Sequence, residues 1–303
     1  MVALVSKFEC RALLVSFCFC WAGLGQAFAD APMGYIYNGP ESDLDKRYRY
    51  HWTILKTALD RTVPKYGAYV MQSAPSMTEK RQAFELKNAT GQLTVMYLGT
   101  TPEMEKALIP VRIPVDKNLG GYCVFLIRKE NQRLFDSVGS LDDLRKFKYG
   151  LGQGWIDVDI LQENRFHVVT ASCYDCLFDM LVHKRSDLAL RSAVEVIDEY
   201  EQRKAAMPDL VIEKNLIFYY PMPMYFWFSK NDDGRRLAER AEEGMRLMIA
   251  DGTYDEIFAE FQDSKIKRLR LKERKIFRID NPFLGPETPF QDKKLWFDPA
   301  AYE

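Results

Sequence analysis

Histidine is scarce in this sequence, at three residues (His51, His167 and His183), and neither sign of charge is in excess: 42 lysines and arginines face 43 aspartates and glutamates. Three histidines so far apart do not complete a zinc site with the cysteines present, so neither a metal nor a cofactor is implied. A net charge of −1 gives no electrostatic case for nucleic acid or for an anionic membrane as partner. Also missing are a G-x-S-x-G nucleophile motif, a cluster of metal ligands and a phosphate-cradling glycine loop, so no catalytic residue declares itself. No internal repeat or low-complexity linker is visible. Long apolar runs are lacking too: residues 12–24, about 13 in number, fall short of the roughly 20 that span a bilayer. What is present is a chain of 303 residues, 47% hydrophobic and 13% aromatic, enough to bury a large core and to exclude global disorder.

The short apolar run reads as part of a leader. Lys7 and Arg11 form its basic flank, diluted by Glu9, and Ala27-Phe28-Ala29 fits a small-x-small cleavage site. Cleavage after Ala29 would remove residues 1–29 as a signal peptide and place the mature chain in the periplasm. An uncleaved N-terminal anchor is the alternative. A lipoprotein is disfavoured, because Phe17 and Phe19 stand where small residues precede a modified Cys18 or Cys20. Of six cysteines, Cys10, Cys18 and Cys20 leave with the leader, and Cys123, Cys173 and Cys176 remain. In an oxidising compartment these allow one bridge and leave one thiol. Cys173-Tyr174-Asp175-Cys176 is a C-x-x-C, expected as a local disulfide or two buried thiols, with a redox-active thiol at a helix start as the alternative.

Along the mature chain, strand and helix patterns alternate, which argues an α/β fold. Strands are expected at 35–37, 68–71, 93–98, 122–127, 149–151, 168–169 and 187–190. A helix from Tyr48 presents Trp52, Leu55, Leu59 and Val63 on one face and stops at Pro64. Ser76 with Glu79, and Ser140 with Asp143, are expected capping boxes, and Ser172 is expected to cap a further helix. The aromatic stretch 216–228 is broken by Pro221 and Pro223, and helices follow at 237–249 and 254–261. The tail changes character. Residues 265–275 are strongly basic, yet Ile266, Leu269 and Leu271 give that segment an apolar face, so a solvated helix is expected ahead of a nucleic-acid or lipid contact. Phe277, Phe283, Phe290, Trp296 and Phe297 suggest that the extension straps back onto the body.

From Thr100 onward four segments carry a resemblance to a known family. Thr100-Thr101-Pro102-Glu103 with residues 109–115 is similar to a T-P-E-R motif and the F-S-x-P-Y that follows it. Ser140 to Leu144 with 149–154 resembles an S-x-x-D-L segment followed by a strand and a glycine turn. Residues 185–190 (RSDLAL) resemble a G-R-x-D-A strand. Residues 225–230 (YFWFSK) and then Asp251-Gly252-Thr253-Tyr254 resemble a closing strand and a D-G-T-Y helix junction. In this order and spacing the segments resemble the type II periplasmic solute-binding proteins of the amino-acid-binding family. The resemblance implies a two-lobed α/β fold with two crossing segments: 30–113 plus 222–264 as one lobe, 114–221 as the other, and 265–303 as a C-terminal extension. It also implies a monomer that is not an enzyme. Its small-molecule ligand would sit in an interlobe cleft, at strand ends and helix N-termini, for delivery to an inner-membrane transporter or sensor.

The resemblance also locates a pocket, and there the chain departs from the family. Met104 stands where the family's arginine clamps a ligand carboxylate, and Ser192, after Arg191, where its aspartate meets the ligand ammonium. A methionine cannot make the bidentate pair. Arg112 and Arg191 are the replacement cations, which suits an anionic solute; the alternative is that each pairs with an internal acid such as Glu195. Gly154 and Trp155 occupy the glycine-turn position, and Asn38, Glu41, Thr100 and Thr101 complete the expected ligand-binding set. Tyr219, Tyr220 and Tyr225 are expected in core or hinge packing. Two other functions compete. One is a lyase or dehydratase on the same fold, with Glu41 or Glu195 as general acid. The other is a ligand-less scaffold whose tail engages a partner protein.

Overall fold

The computed structural model of the chain describes residues 31–300 and 302, so the leader expected over 1–29 lies outside the described residues. Strand and helix alternate along the chain as the pattern requires. The strands are β1 (Met33–Asn38), β2 (Tyr69–Ala74), β3 (Met96–Leu98), β4 (Leu108–Val111), β5 (Tyr122–Arg128), β6 (Lys148–Gly152), β7 (His167–Ala171), β8 (Leu188–Ser192), β9 (Leu210–Ile212), β10 (Leu216–Tyr219), β11 (Tyr225–Ser229) and β12 (Lys275–Arg278).

Two sheet systems share one strand order. In the smaller, β1 runs parallel to β2, and β11 lies antiparallel between β3 and β4. The N–H groups of Thr94 and Val95 both reach the Ile36 carbonyl (2.9 and 3.2 Å), tying β1 to the approach of β3. The order is therefore β2-β1-β3-β11-β4. In the larger sheet β7-β6-β8-β5-β10 repeats it: β6 is parallel to β7 and β8, and β5 is antiparallel to β8 and β10. Each antiparallel strand enters from the other system, β5 following β4 and β11 following β10. The chain thus crosses between the sheets twice, over residues 112–121 and 220–224. Every residue of β5 (YCVFLIR) is buried, as a strand covered on both faces demands.

Helix boundaries follow local chemistry, with three adjustments. The helix Arg49–Arg61 buries Ile54, Leu55, Ala58 and Leu59, while Val63 is exposed, because Pro64 sits in the first turn of a further short helix, Val63–Tyr66. Thr78, not Ser76, caps the helix Glu79–Lys87. Glu79 is then its first residue and is free to reach elsewhere. Cys173, not Ser172, caps Tyr174–Val182, and its sulfur is bonded to that of Cys176, leaving Cys123 as a buried free thiol. The Ser140–Asp143 capping box is present.

The basic segment begins in the last turn of the helix Thr253–Leu269, continues through a short turn at Leu271–Glu273 and buries Ile266, Leu269 and Leu271. Beyond it β12 pairs in parallel with β10, and Phe277, Ile279 and Phe297 are buried against the body. Phe290 stays exposed and stacks on Trp296 (4.9 Å between ring centres). Among the described residues no helix is long and apolar enough to cross a membrane.

Candidate functional site

Between the two sheet systems lies a cleft of about 660 Å³, counted out to its open mouth. From the side of the smaller sheet come Arg47, Tyr48, His51, Glu79 and Tyr97. From the larger come Trp155, Asp157, Arg191, Ser192 and Glu195, and the first crossing adds Asp116 and Gly120. Glycine is required at two points. A Cβ on Gly120 would lie 2.6 Å from an Asp116 carboxylate oxygen, and one on Gly152 would come within 2.6 Å of three atoms of the Trp155 ring.

Both arginines are already neutralised from within. Arg47, buried in the loop before the helix Arg49–Arg61, donates from Nε to Asp45 (2.8 Å) and from Nη2 to Asp45 and Glu41 (2.9 and 2.6 Å). Its guanidinium lies 3.9 Å from the Tyr174 ring centre, on a helix of the opposite wall. Arg191, 4% exposed at the end of β8, grips Glu199 through Nε and Nη2 (2.7 and 2.6 Å) and Glu195 through Nη2 (2.6 Å), over the face of Trp155. Burial raises the carboxyl pKa of Glu195 despite that arginine. Glu199 is equally desolvated, but two bonds from Arg191 and one from the Tyr174 hydroxyl hold it below its usual range.

The other acids have no cationic hydrogen-bond partner. Burial, with Asp157 nearby, pushes Glu79 up to about 8. Its carboxylate accepts the Ile156 N–H across the cleft (3.2 Å). Burial lifts Asp116 to about 7, even though the N–H groups of Gly120 (2.8 Å) and Asn118 (3.0 Å) favour its charged form. Asp157 is raised by burial as well, and accepts the Tyr220 hydroxyl. His51 is 2% exposed and stacks 3.6 Å from the Tyr97 ring, with neither ring nitrogen hydrogen-bonded. Burial, with the charges of Lys265 and Arg47, holds it well below the usual histidine range, so it is neutral and offers one donor and one acceptor. Among the described residues no three histidines, cysteines or acids converge to hold a metal.

Of the nine residues expected at the ligand, the structure brings Trp155, Arg191 and Ser192 into this cleft. Glu41 lines an adjoining recess that shares Tyr48, Glu79 and Trp155 with it. The others lie apart. Arg112 donates to Glu105 (3.0 and 2.6 Å) and pairs with Glu287 of the tail (2.5 Å). Thr100 donates to Glu105 (2.7 Å), and Thr101 caps the helix Pro102–Ala107. Asn38 accepts the Met77 N–H (2.7 Å). Gly154 supplies a left-handed turn, φ 84°, that sets up Trp155. Met104 is buried, in the same hydrophobic cluster as Leu98 and Tyr225. Sequence reasoning missed Arg47, Tyr48, Glu79, Asp116 and Asp157 as lining residues. Glu79 reads in the sequence as a capping partner, and the others carry no motif.

Two sheets of order 2-1-3-n-4, joined by two crossings over a polar cleft, are the type II periplasmic solute-binding fold. Solved structures agree. An ancestral arginine-binding protein bound to arginine superposes with a TM-score of 0.56 at 18% identity, covering 76% of this chain and 98% of its own. A Streptococcus pneumoniae amino acid ABC transporter substrate-binding protein bound to L-arginine gives 0.57 at 12%, covering 76% and 94%. A Salmonella typhimurium periplasmic binding protein with high arginine specificity gives 0.56 at 14%, covering 77% and 100%. At such identities the fold is what is shared. No protein-family model matches the chain, and no curated protein sequence matches it.

Proposed function

We propose that the chain is a solute-binding protein that takes a small solute bearing a protonated amine or guanidinium into the cleft between its sheets. In this reading residues 30–113 with 222–264 form one lobe and 114–221 the other. The mature protein works in the periplasm as a monomer and serves an inner-membrane transporter or sensor. The observation that carries the ligand class is the excess of carboxyl groups in the lining. Four carboxyl groups, Glu79, Asp116, Asp157 and Glu195, face two arginines. Those arginines are already matched by Asp45, Glu41 and Glu199 as well as by Glu195. A cation entering beside Glu79 and Asp157 would supply the charge their desolvation lacks. The anionic solute expected from Arg112 and Arg191 loses its support, since Arg112 is engaged outside the cleft and Arg191 is saturated by Glu195 and Glu199.

Trp155 gives a direct readout. Titrating L-arginine, putrescine, L-glutamine and succinate should change tryptophan emission saturably with the two cations and not with succinate. The change should disappear in Trp155→Phe. A saturable response to succinate alone would reverse the ligand class, and no response to any of the four would count against the cleft as a binding site.

A further inference from the structure

The two crossings are bonded to each other. The Val115 N–H donates to the Met224 carbonyl (2.9 Å), that of Tyr220 to Gly121 (3.2 Å), and that of Met222 to the Asn118 side-chain oxygen (2.7 Å). The tail is bonded to both of them. The Ile279 N–H donates to the Tyr219 carbonyl (3.0 Å) and the Asn281 side-chain amide to the Pro221 carbonyl (2.9 Å), at the second crossing. The Phe297 N–H donates to the Lys117 carbonyl (2.7 Å), and Glu287 pairs with Arg112 (2.5 Å), at the first.

One end of this span is anchored on the larger sheet, and the other touches both sheet systems, for the Tyr122 hydroxyl of β5 donates to the Phe297 carbonyl (3.3 Å). At one end β12 adds to β10 of the larger sheet, and Arg274 donates to the carbonyls of Leu269, Glu213 and Leu216 (2.6, 2.7 and 3.0 Å). At the other, Phe297 packs on Phe258 (6.0 Å between ring centres), in the helix Thr253–Leu269. That helix lies against the helices Arg49–Arg61 and Asp232–Asp251, which accompany the smaller sheet. The arrangement is closed: the Glu79 carboxylate and the Arg47 guanidinium both touch the opposite wall.

We propose that residues 279–297 brace the hinge, holding the two sheet systems in this closed relation before any solute arrives. The proposal rests on the two-lobed reading above. Opening such a fold turns a few backbone dihedrals in the crossings. Carbonyls at Lys117, Tyr219 and Pro221 that are fixed to the tail cannot turn freely without breaking those bonds. Bonds present in one arrangement and strained in the other shift the population toward the first, and here that is the closed one. A solute must then wait for the brace to yield, which slows both its entry and its exit.

Hydrogen exchange read by mass spectrometry, with solution X-ray scattering, tests this without any solute. Glu287 is 70% exposed, so Glu287→Lys with Asn281→Ala removes two tail contacts and leaves the core intact. Removal of residues 279–303 is the more severe variant. In both, amide exchange over 113–121 and 219–224 should quicken by about tenfold, β5 and β8 should stay protected, and the radius of gyration should grow. Unchanged exchange at the crossings and an unchanged radius, in either variant that folds with its core protected, overturn the brace. Because no solute is used, that outcome leaves the binding reading standing, and absence of solute binding in the intact protein leaves the brace standing.

Discussion

Glu79 shows how one buried carboxyl couples the cleft to pH. Its folded-state pKa of about 8 exceeds its ordinary value because burial and Asp157 penalise the charged form. Between its unfolded and folded pKa values the native state holds a proton that the unfolded chain has lost, so stability falls as pH rises through that window. Glu79→Gln should therefore flatten the decline in denaturation midpoint between about pH 5 and pH 8 and leave the acid side unchanged. An equal slope in both proteins would mean that Glu79 titrates normally. A buried acid of this kind is hard to find by inspection, because the sequence shows the residue type and not its surroundings. Glu79 reads as a capping partner until Thr78 takes the N-cap and leaves the carboxylate free to cross the cleft. Arg112 is the opposite case. In the sequence it reads as available for a ligand, because Glu287, 175 positions later in the chain, carries no local signal that the two meet.

At the level of helices and strands the pattern was far more legible. Apolar runs located β1 to β3 and β5 to β8 but not β4, β9, β10 or β12, and the faces containing Leu55, Leu59, Ile266 and Leu269 are buried. Local chemistry left the caps uncertain by one or two residues, since Ser76 and Thr78, or Ser172 and Cys173, offer similar acceptors. What periodicity could not convey is how closely two helices approach. A Cβ on Gly244, in the helix Asp232–Asp251, would meet the Ala58 carbonyl of the helix Arg49–Arg61 far inside contact distance. Gly244→Ala gains helix propensity but forces these helices apart, and should cost about 1–3 kcal/mol in urea unfolding. Unchanged or increased stability would show that the interface yields cheaply.

The fold of the whole molecule was legible because four weak segments fell in the right order, and the strand order 2-1-3-n-4 in both sheets agrees with them. The ligand class was not, because the lining gathers four acids from separate parts of the chain with two arginines that Glu41, Asp45, Glu195 and Glu199 neutralise. The most direct test of the ligand class is a thermal-shift panel at pH 6 and pH 8, with L-arginine, L-lysine and putrescine against L-glutamate, succinate and glucose. A cation that binds the folded form alone, at a hundredfold excess over its dissociation constant, should raise the midpoint by roughly 5 °C. The shift should be larger at pH 8, where Glu79 and Asp116 give up their protons more readily. A shift with the anions or glucose alone, or one that is larger at pH 6, would contradict a cleft built to receive a cation.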